Sequence, residues 1–260
     1  MPELPEVEAA ARHLHAQVAG RTLRSVTWLH PSLARHAPDT MPTLVGQRVR
    51  RVTRVAKWQE VEFAGGDVLV VHFRMTGDWA VTTRPVAPPM ARAHFAFSGP
   101  RHVWLVDPRV LARIQVRLAG DEPLARRTGP DALDPTLDAA TLRARFATRR
   151  APIKPVLLDQ SVLAGVGNIY AAEALWFARI DPRTPAQQLS LVRVQRLLDG
   201  IRWTMGLALE EQGRHQYRTA TERLAVYDRE GQPCPRCGTA IARITQGQRS
   251  TYLCRRCQRS

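Results

Sequence analysis

The chain closes with a cysteine-rich module, residues 234–257, whose sequence is CPRCGTAIARITQGQRSTYLCRRC. All four cysteines of the protein lie here, as two Cys-x2-Cys pairs separated by sixteen residues. Each pair can direct two thiolates at one ion, so a tetrahedral Zn²⁺ site is predicted at Cys234, Cys237, Cys254 and Cys257. Such a site has no open position, which makes the predicted metal structural. Two disulfides or a redox motif are the alternatives, and a reducing cytosol disfavours the disulfides.

The region before this module has a helical texture. Apolar residues recur at helical spacing, and Asp181-Pro182 and Thr184-Pro185 interrupt them. The predicted helices cover residues 136–148, 153–160, 169–179 and 189–212. We therefore predict a helical domain over residues 136–225 and a separate cysteine-bearing domain over residues 226–260.

The first 120 residues have a different character. A helix is predicted over residues 6–19, with Gly20 as its stop, and β-branched residues dominate the segments that follow. The predicted strands cover residues 49–63, 67–73, 94–97, 102–106 and 110–118. Residues 1–120 are thus predicted to form a β-rich domain led by a helix, and the proline-containing residues 121–135 a linker. The predicted fold class is α+β.

The composition indicates a nucleic-acid partner. The 260 residues carry a formal net charge of +15, and the sequence pI is near 11.1; this balance favours polyanions. No apolar run reaches the roughly 18 residues of a membrane helix, and the acidic start does not resemble a signal peptide. We therefore expect a soluble, cytoplasmic protein with no membrane partner. Only Lys57 and Lys154 of the 38 Lys and Arg residues are lysines, and a titratable amine distinguishes lysine from arginine.

The N-terminus offers a further amine. Removal of Met1 would expose the secondary amine of Pro2, and an α-amine titrates near pH 8, well below lysine. A free amine attacks the C1′ carbon of a sugar and gives a Schiff base. Glu3 and Glu6 follow as a possible acid and a charge partner. Retention of Met1 would block this chemistry.

Three motifs occur together in a fixed order: Pro2-Glu3-Leu4-Pro5-Glu6-Val7-Glu8, Gly165-Val166-Gly167-Asn168-Ile169-Tyr170 and the cysteine module. This ordered set resembles the formamidopyrimidine-DNA glycosylase / endonuclease VIII family, and the likeness runs from Pro2 to Gln258. The resemblance implies an N-terminal helix with a β-sandwich, a helix–two-turn–helix DNA-binding domain and a zinc-finger hairpin. It also implies an enzyme that removes oxidised bases from double-stranded DNA and cuts the strand at the abasic site. One enzyme for each lesion suggests a monomer.

The resemblance implies catalytic roles residue by residue. Pro2 matches the nucleophile, Glu3 the acid that helps to open the sugar, and Glu6 a supporting carboxylate. Lys57 matches a hairpin lysine that binds phosphate and assists β-elimination. Arg249 matches a zinc-finger arginine that grips phosphates and is linked to δ-elimination.

Further matched positions would bind the DNA. Met75 and Arg109 match side chains that fill the gap left by a flipped-out base, and Leu111 could wedge between bases. The other matches are a basic position before the two-turn motif, a lysine near the lesion and a phosphate-binding asparagine: Arg149, Lys154 and Asn168.

Two departures from the family pattern bear on how the chain would treat the lesion. Val110-Leu111-Ala112 stands where the family commonly has arginine or lysine, phenylalanine and glycine, so stacking in the gap would be weaker. The segment between Gln212-Gly213 and Leu224 is short, whereas formamidopyrimidine glycosylases cover flipped 8-oxoguanine with a longer loop there. The lesion preference is therefore open between 8-oxoguanine and oxidised pyrimidines.

Three functions are compatible with these residues. A glycosylase with lyase activity uses the whole set. A lyase for abasic sites with little base excision would fit the altered Val110-Leu111 pair and the short loop. A non-enzymatic zinc-ribbon DNA-binding protein would need none of the acid–base chemistry of Pro2, Glu3, Lys57 and Arg249. The presence of all four favours the first function.

Overall fold

The computed structural model describes residues 2–212 and 224–259. The chain divides into two compact units, Met1–Pro123 and Leu124–Ser260. Met1 lies outside the described residues. So do residues 213–223, which form the segment predicted to be short.

The first unit is built on two antiparallel sheets. Their strand orders are β1-β6-β7-β5, called the first sheet, and β2-β3-β4-β8, called the second sheet. The elements are α1 (Leu4–Val18), β1 (Leu23–Trp28), α2 (Pro31–Arg35), β2 (Val49–Val55), β3 (Trp58–Phe63), β4 (Val68–His72), β5 (Asp78–Thr82), β6 (Ala91–Phe97), β7 (Arg101–Val106) and β8 (Arg113–Arg117).

Both sheets contribute to one apolar core. Val71 of the second sheet and Leu105 of the first sheet are fully buried members of it. The Trp79 ring lies between two phenylalanines, with centroids 5.6 Å from Phe73 and 5.9 Å from Phe95, in the edge-to-face geometry that aromatic pairs prefer. The predicted β-sandwich led by a helix is confirmed.

Helix α1 forms because its apolar residues repeat at helical spacing. The buried positions are Leu4, Pro5, Val7, Ala10, Ala11, Leu14 and Val18, which follow the i, i+3, i+4 pattern of a helix with one apolar face. The helix packs against β2, β3 and β5. It begins two residues before the predicted start, because Pro5 fits within the first turn. Gly20, with φ 76°, follows its end.

The strands differ from the prediction in two ways: one predicted strand is divided, and two strands were not predicted. Residues 49–63 form two strands rather than one, because the chain reverses at Ala56, which has φ 53°. No glycine or proline marks this turn. The sequence analysis also missed β1 and β5, which are the two edge strands of the first sheet. Edge strands have fewer packed neighbours and therefore show weaker β patterning.

The second unit combines helices with a two-stranded hairpin. Its elements are α3 (Ala139–Phe146), α4 (Ile153–Leu158), α5 (Asn168–Phe177), α6 (Leu191–Gln212), β9 (Ala242–Gln246) and β10 (Arg249–Leu253). The Gln160 side chain braces the turns between α4 and α5, since its Nε2 donates to the Val166 carbonyl at 3.0 Å and its Oε1 accepts the Gly165 N–H at 2.9 Å. This confirms the predicted helix–two-turn–helix.

Helix α5 is the central element of the second unit. It crosses α6 at Gly200, where an added Cβ would lie 2.9 Å from the Ala174 carbonyl oxygen, so only glycine fits without a shift. Its Glu173 carboxylate accepts the backbone N–H groups of Ala225, Val226 and Tyr227 at 2.8–2.9 Å. Burial raises the pKa of Glu173 despite these bonds. The start of the cysteine-bearing segment is thus anchored to α5.

The segment predicted as a linker, residues 121–135, divides between the two units. The boundary falls after Pro123. Beyond it, the Gly129 N–H donates to the Gln160 carbonyl at 2.8 Å, and the Ala132 N–H to the Ala164 carbonyl at 3.0 Å. Ala132 is fully buried. Residues 129–132 therefore pack as part of the helical unit, because their backbone groups find partners there.

Helix α6 has 22 residues. Neither it nor any other helix within residues 2–212 and 224–259 is both long and apolar enough to cross a membrane.

Candidate functional site

Three of the predicted residues lie together at the start of α1. Pro2 precedes the helix, and Glu3 is its N-cap residue. Glu3 and Glu6 form a capping box, in which the Glu3 N–H donates to Glu6 Oε2 at 2.8 Å. Glu3 is only 2% exposed. A buried acid thus stands beside the predicted amine nucleophile, and the Glu6 carboxylate fixes its backbone.

Lys57 lies in the turn between β2 and β3 and is buried. The neighbouring Arg54 joins this turn to α1. Its Nε donates to Glu8 Oε2 at 2.9 Å, and its Nη1 donates to the Ala56 carbonyl oxygen at 3.0 Å. The Arg54 side chain is largely shielded from water, so the ion pair is stronger than an exposed pair would be. The turn that carries Lys57 is therefore held against the first helix.

The loop that carries Arg109 and Leu111 is organised by one buried carboxylate, Asp107. Asp107 Oδ2 accepts the Leu111 N–H at 2.6 Å and the Ala112 N–H at 2.8 Å, and Oδ1 accepts the Arg109 N–H at 3.2 Å. Asp107 was not among the predicted site residues. An Asp-Pro pair after a strand is the signal of such a turn, and it identifies Asp107 as a positioning residue.

The same carboxylate reaches the loop of Met75. The Thr76 hydroxyl, next to Met75, donates to Asp107 Oδ1 and also lies 3.4 Å from the Arg109 N–H. Met75 and Leu111 are each 41% exposed, although apolar side chains of this size are usually buried. Two exposed apolar side chains are thus presented by loops that share one rigid hydrogen-bond network.

In the second unit, Lys154 and Asn168 meet the hairpin strand β10. Lys154 is 1% exposed. Its ammonium donates to Asn168 Oδ1 at 2.6 Å, to the Ser250 carbonyl at 2.9 Å and to Thr251 Oγ1 at 2.7 Å. Asn168 Nδ2 also donates to the Ser250 carbonyl, at 3.1 Å. These contacts match the three N–H donors of lysine.

Arg249 lies at the exposed start of β10, one residue before Ser250. It shares a cavity of about 150 Å³ with Lys154. The cavity is lined by Lys154, Pro155, Leu158, Gln246, Gly247 and Arg249. The structure therefore brings Lys154, Asn168 and Arg249 together.

Arg149 lies outside this group. Its Nη1 is 3.5 Å from Asp159 Oδ2, and both side chains are partly exposed. Hydrogen bonds from Ser161, and then the charge of Arg149, lower the pKa of Asp159. The pair is a surface ion pair of the kind that contributes little to stability.

The four cysteines converge around one point. Their Sγ atoms all lie within 4.8 Å of one another. In a tetrahedral zinc site with Zn–S bonds of about 2.3 Å, the sulfurs are separated by about 3.8 Å, so the four thiols fit one Zn²⁺. Cys234 and Cys254 are buried, as a closed structural site requires.

Trp176 of α5 contacts this cysteine group. Its indole N–H donates to Cys234 Sγ at 3.4 Å. The Arg236 guanidinium lies 4.1 Å from the Trp176 ring centroid, and its Nη1 donates to the Trp176 carbonyl oxygen at 3.0 Å. Trp176 was not among the predicted site residues. It links the helix that begins at Asn168 to a predicted zinc ligand.

Replacing Trp176 with phenylalanine should weaken zinc retention. Phenylalanine keeps an aromatic ring under Arg236 but removes the N–H donor, and loss of such an outer-shell bond typically lowers metal affinity about 10- to 100-fold. We expect faster zinc release to a chromogenic chelator. Trp203→Phe is the matched control, because Trp203 packs on Phe177 and not on a cysteine. Equal release rates from both variants would contradict the role of Trp176.

Replacing Asp107 with asparagine should destabilise the protein. Asparagine keeps one acceptor oxygen but turns an amide group towards backbone N–H donors. Because the site is buried, the free energy of unfolding should fall by about 1–3 kcal/mol in urea titrations. Asp39→Asn, at an exposed position, should stay within about 0.5 kcal/mol of the unaltered protein. A loss no larger at Asp107 than at Asp39 would show that the network is dispensable.

Comparison with known proteins agrees with this geometry. Family models match three successive parts of the chain: the formamidopyrimidine-DNA glycosylase N-terminal domain at residues 1–114, the H2TH domain of the same enzyme at residues 128–219, and the zinc finger found in FPG and IleRS at residues 231–259. The last match and the four close sulfurs confirm the predicted site for one structural zinc.

Relatives match over the whole length. Formamidopyrimidine-DNA glycosylase of Chloroflexus aurantiacus is 39% identical over 99% of this chain and 98% of its own. The MutM (Fpg) structure from Thermus thermophilus has a TM-score of 0.86 and 35% identity, covering 99% of this chain and 98% of its own. Lactococcus lactis Fpg, bound non-covalently to DNA containing an AP site, has a TM-score of 0.89 and 26% identity, with full coverage of both chains. The chain belongs to the formamidopyrimidine-DNA glycosylase family.

Proposed function

We propose that this protein removes oxidised bases from double-stranded DNA and then cuts the strand at the abasic site, with Pro2 as the nucleophile. The observation that carries the proposal is the buried Glu3 directly after Pro2 at a helix start. DNA binding alone would not require a buried acid beside an amine. The glycosylase name of the Chloroflexus aurantiacus relative and the AP-site DNA bound to the Lactococcus lactis enzyme support the same activity.

Base removal begins at the Pro2 nitrogen, which becomes a secondary amine when Met1 is removed. The nitrogen forms a bond to C1′ of the damaged nucleotide as the bond from C1′ to the base breaks, and the proton that the nitrogen gives up goes to the departing base. Glu3 supplies a proton to the ring oxygen, so the sugar opens and a charged iminium remains on C1′. The Glu3 backbone stays in place because its N–H is bonded to Glu6.

Strand cutting follows from the iminium, which withdraws electrons from the sugar. Loss of a proton from C2′ drives cleavage of the bond between C3′ and the 3′ phosphate oxygen, and water releases Pro2 after the second elimination. We assign assistance in this elimination to Lys57, whose turn is held against α1 by Arg54 and Glu8. Arg249 is assigned to the second elimination, at the 5′ phosphate.

The remaining predicted residues are assigned to DNA binding. Met75, Arg109 and Leu111 fill the gap that a flipped-out base leaves, and their loops are rigid because Asp107 holds them. Asn168 and Arg249 contact phosphates, and Lys154 fixes Asn168 and the hairpin in their positions. Arg149 is assigned to the DNA backbone, where a phosphate replaces Asp159 as its partner. When bound, zinc holds the hairpin that carries Arg249 and takes no part in the reaction.

We assign the protein to damaged DNA as a monomer, because a single chain supplies the nucleophile, the acid and the DNA contacts. The relatives named above are bacterial, and bacterial DNA lies in the cytoplasm, so the proposal places the enzyme there, at the nucleoid.

Glu3→Gln separates the two reactions. Base release from a duplex with 8-oxoguanine or dihydrouracil needs the acid and should fall by about 10²- to 10⁴-fold. Cutting of a duplex with a preformed abasic site should fall much less, since the sugar there is a hemiacetal that opens to the aldehyde without the acid. Free base and strand cutting are measured separately, by chromatography and gel electrophoresis. Glu210→Gln, at an exposed position of α6, is the control and should leave both rates unchanged.

Each other outcome has a definite meaning. Equal base release by Glu3→Gln and the unaltered protein would refute the role of Glu3. Cutting of only the abasic duplex by the unaltered protein would reduce the function to a lyase with little base excision. Failure to process any of the duplexes, by protein that starts at Pro2 and holds zinc, would leave DNA binding as the function.

A further inference from the structure

One end of the second sheet gathers basic side chains from three separate segments. Lys57 lies in the turn directly before β3. His72 is the last residue of β4, and Arg74 follows two residues later. Arg113 is the first residue of β8. His72 and Arg113 are direct partners across the β4–β8 ladder, so their side chains project from the same face of the sheet. The fold therefore concentrates positive charge at this end.

Within the described residues, the two arginines of this cluster, Arg74 and Arg113, have no acid beside them. The pKa of His72 is lowered to about 4, first by burial and then by the positive charges of Arg74, Lys57 and Arg113. Burial and the charge of Arg113 lower the pKa of Arg74. Among residues 2–212 and 224–259, neither Arg74 nor Arg113 forms an ion pair with a carboxylate.

Other arginines of the same sheet are paired. Arg51 Nε lies 2.5 Å from Glu62 Oε2, and Arg117 Nη2 lies 3.3 Å from Glu60 Oε1. The acids of the second sheet therefore neutralise arginines elsewhere on it and leave the end with Arg74 and Arg113 positive. A group of like charges costs stability in the free protein and favours binding of an anion.

The backbone of Arg74 is held in an unfavourable conformation. Its φ is 57°, in the left-handed region that glycine and asparagine occupy most easily. For other residues the Cβ atom approaches the following carbonyl oxygen too closely in this conformation. The Arg74 N–H donates to His72 Nδ1 at 2.8 Å, which fixes the turn. An arginine is thus kept where a smaller residue would be more stable.

The residues next to Arg74 and Arg113 indicate which anion these two arginines bind. Arg74 directly precedes Met75, and Arg113 lies two residues after Leu111; both apolar side chains are exposed. On the proposed function, on which this inference rests, Met75 and Leu111 enter the DNA at the lesion. We propose that Arg74 and Arg113 bind a phosphodiester group of the DNA backbone beside that point, as a contact separate from the one at Lys57.

The salt dependence of DNA binding tests this contact. Each phosphate that a protein neutralises contributes about 0.9 to the slope of log affinity against log salt concentration. Fluorescence anisotropy with a duplex carrying a non-cleavable abasic analogue gives this slope between about 50 and 200 mM KCl. For Arg74→Gln/Arg113→Gln, the slope should decrease in magnitude by about 1, the contribution of one phosphate, and the affinity at the lowest salt should fall at least about tenfold.

The matched control is Arg24→Gln/Arg84→Gln. It removes the same charge from the first sheet, at the end that lies away from the Asp107 loop. Arg24 lies beside Leu23, the partner of Phe97, and Arg84 follows Thr82, the partner of His102. Its slope should equal that of the unaltered protein. Urea unfolding of each variant shows that it is folded, and relief of charge repulsion should leave Arg74→Gln/Arg113→Gln no less stable than the control.

Two results would overturn the proposal: an unchanged slope in Arg74→Gln/Arg113→Gln, or an equal decrease in the control pair. Cutting of an abasic duplex by the unaltered protein is measured in parallel. If that cutting occurs and the slopes are equal, the arginine contact is wrong and the proposed function stands. If the unaltered protein does not cut, the proposed function itself fails.

Discussion

A lysine ammonium can be buried in a protein only when its N–H donors find acceptors, because desolvation of an unpaired charge costs several kcal/mol. Lys154 meets this condition with oxygen atoms from Asn168, Ser250 and Thr251. These acceptors belong to α5 and β10, and Lys154 belongs to α4. The need to satisfy one charge therefore fixes three elements together and holds Asn168 against β10, the strand that begins at Arg249. The four cysteines that would hold zinc flank the same hairpin.

In the first unit the buried charge that needs hydrogen-bond partners is a carboxylate. The buried Asp107 carboxylate accepts hydrogen bonds from two loops, and those loops then hold Met75 and Leu111 exposed to solvent. Exposed apolar groups and unpaired arginines are both unfavourable in the free protein. They become favourable on a ligand that offers stacked bases and phosphates. The stable core of the unit thus compensates for an unfavourable surface that is complementary to DNA.

Features that depend on local residues could be predicted from the sequence. The cysteine spacing predicted the zinc site, and the apolar period of α1 predicted the first helix. The turn at Ala56 and the conformation of Arg74 could not be predicted, because residues other than glycine rarely adopt positive φ and carry no signal for it. The partners of Lys154 also lay beyond prediction, since Ser250 and Thr251 are 96 and 97 residues away along the chain. Asn168, Arg249 and Lys154 were each predicted, but the hydrogen bond between Lys154 and Asn168 and the cavity that Lys154 shares with Arg249 were not.

The proposed reaction depends on attack of the sugar by the Pro2 nitrogen and not by a lysine. Borohydride reduces a Schiff base to a stable bond, so incubation with damaged duplexes and borohydride should give a covalent protein–DNA product. Peptide mapping by mass spectrometry then locates the linkage. The account predicts that the linkage lies on Pro2 for the abasic duplex and for at least one duplex with an oxidised base. A linkage on Lys57 or Lys154, or no linkage from protein that starts at Pro2 and holds zinc, would contradict it.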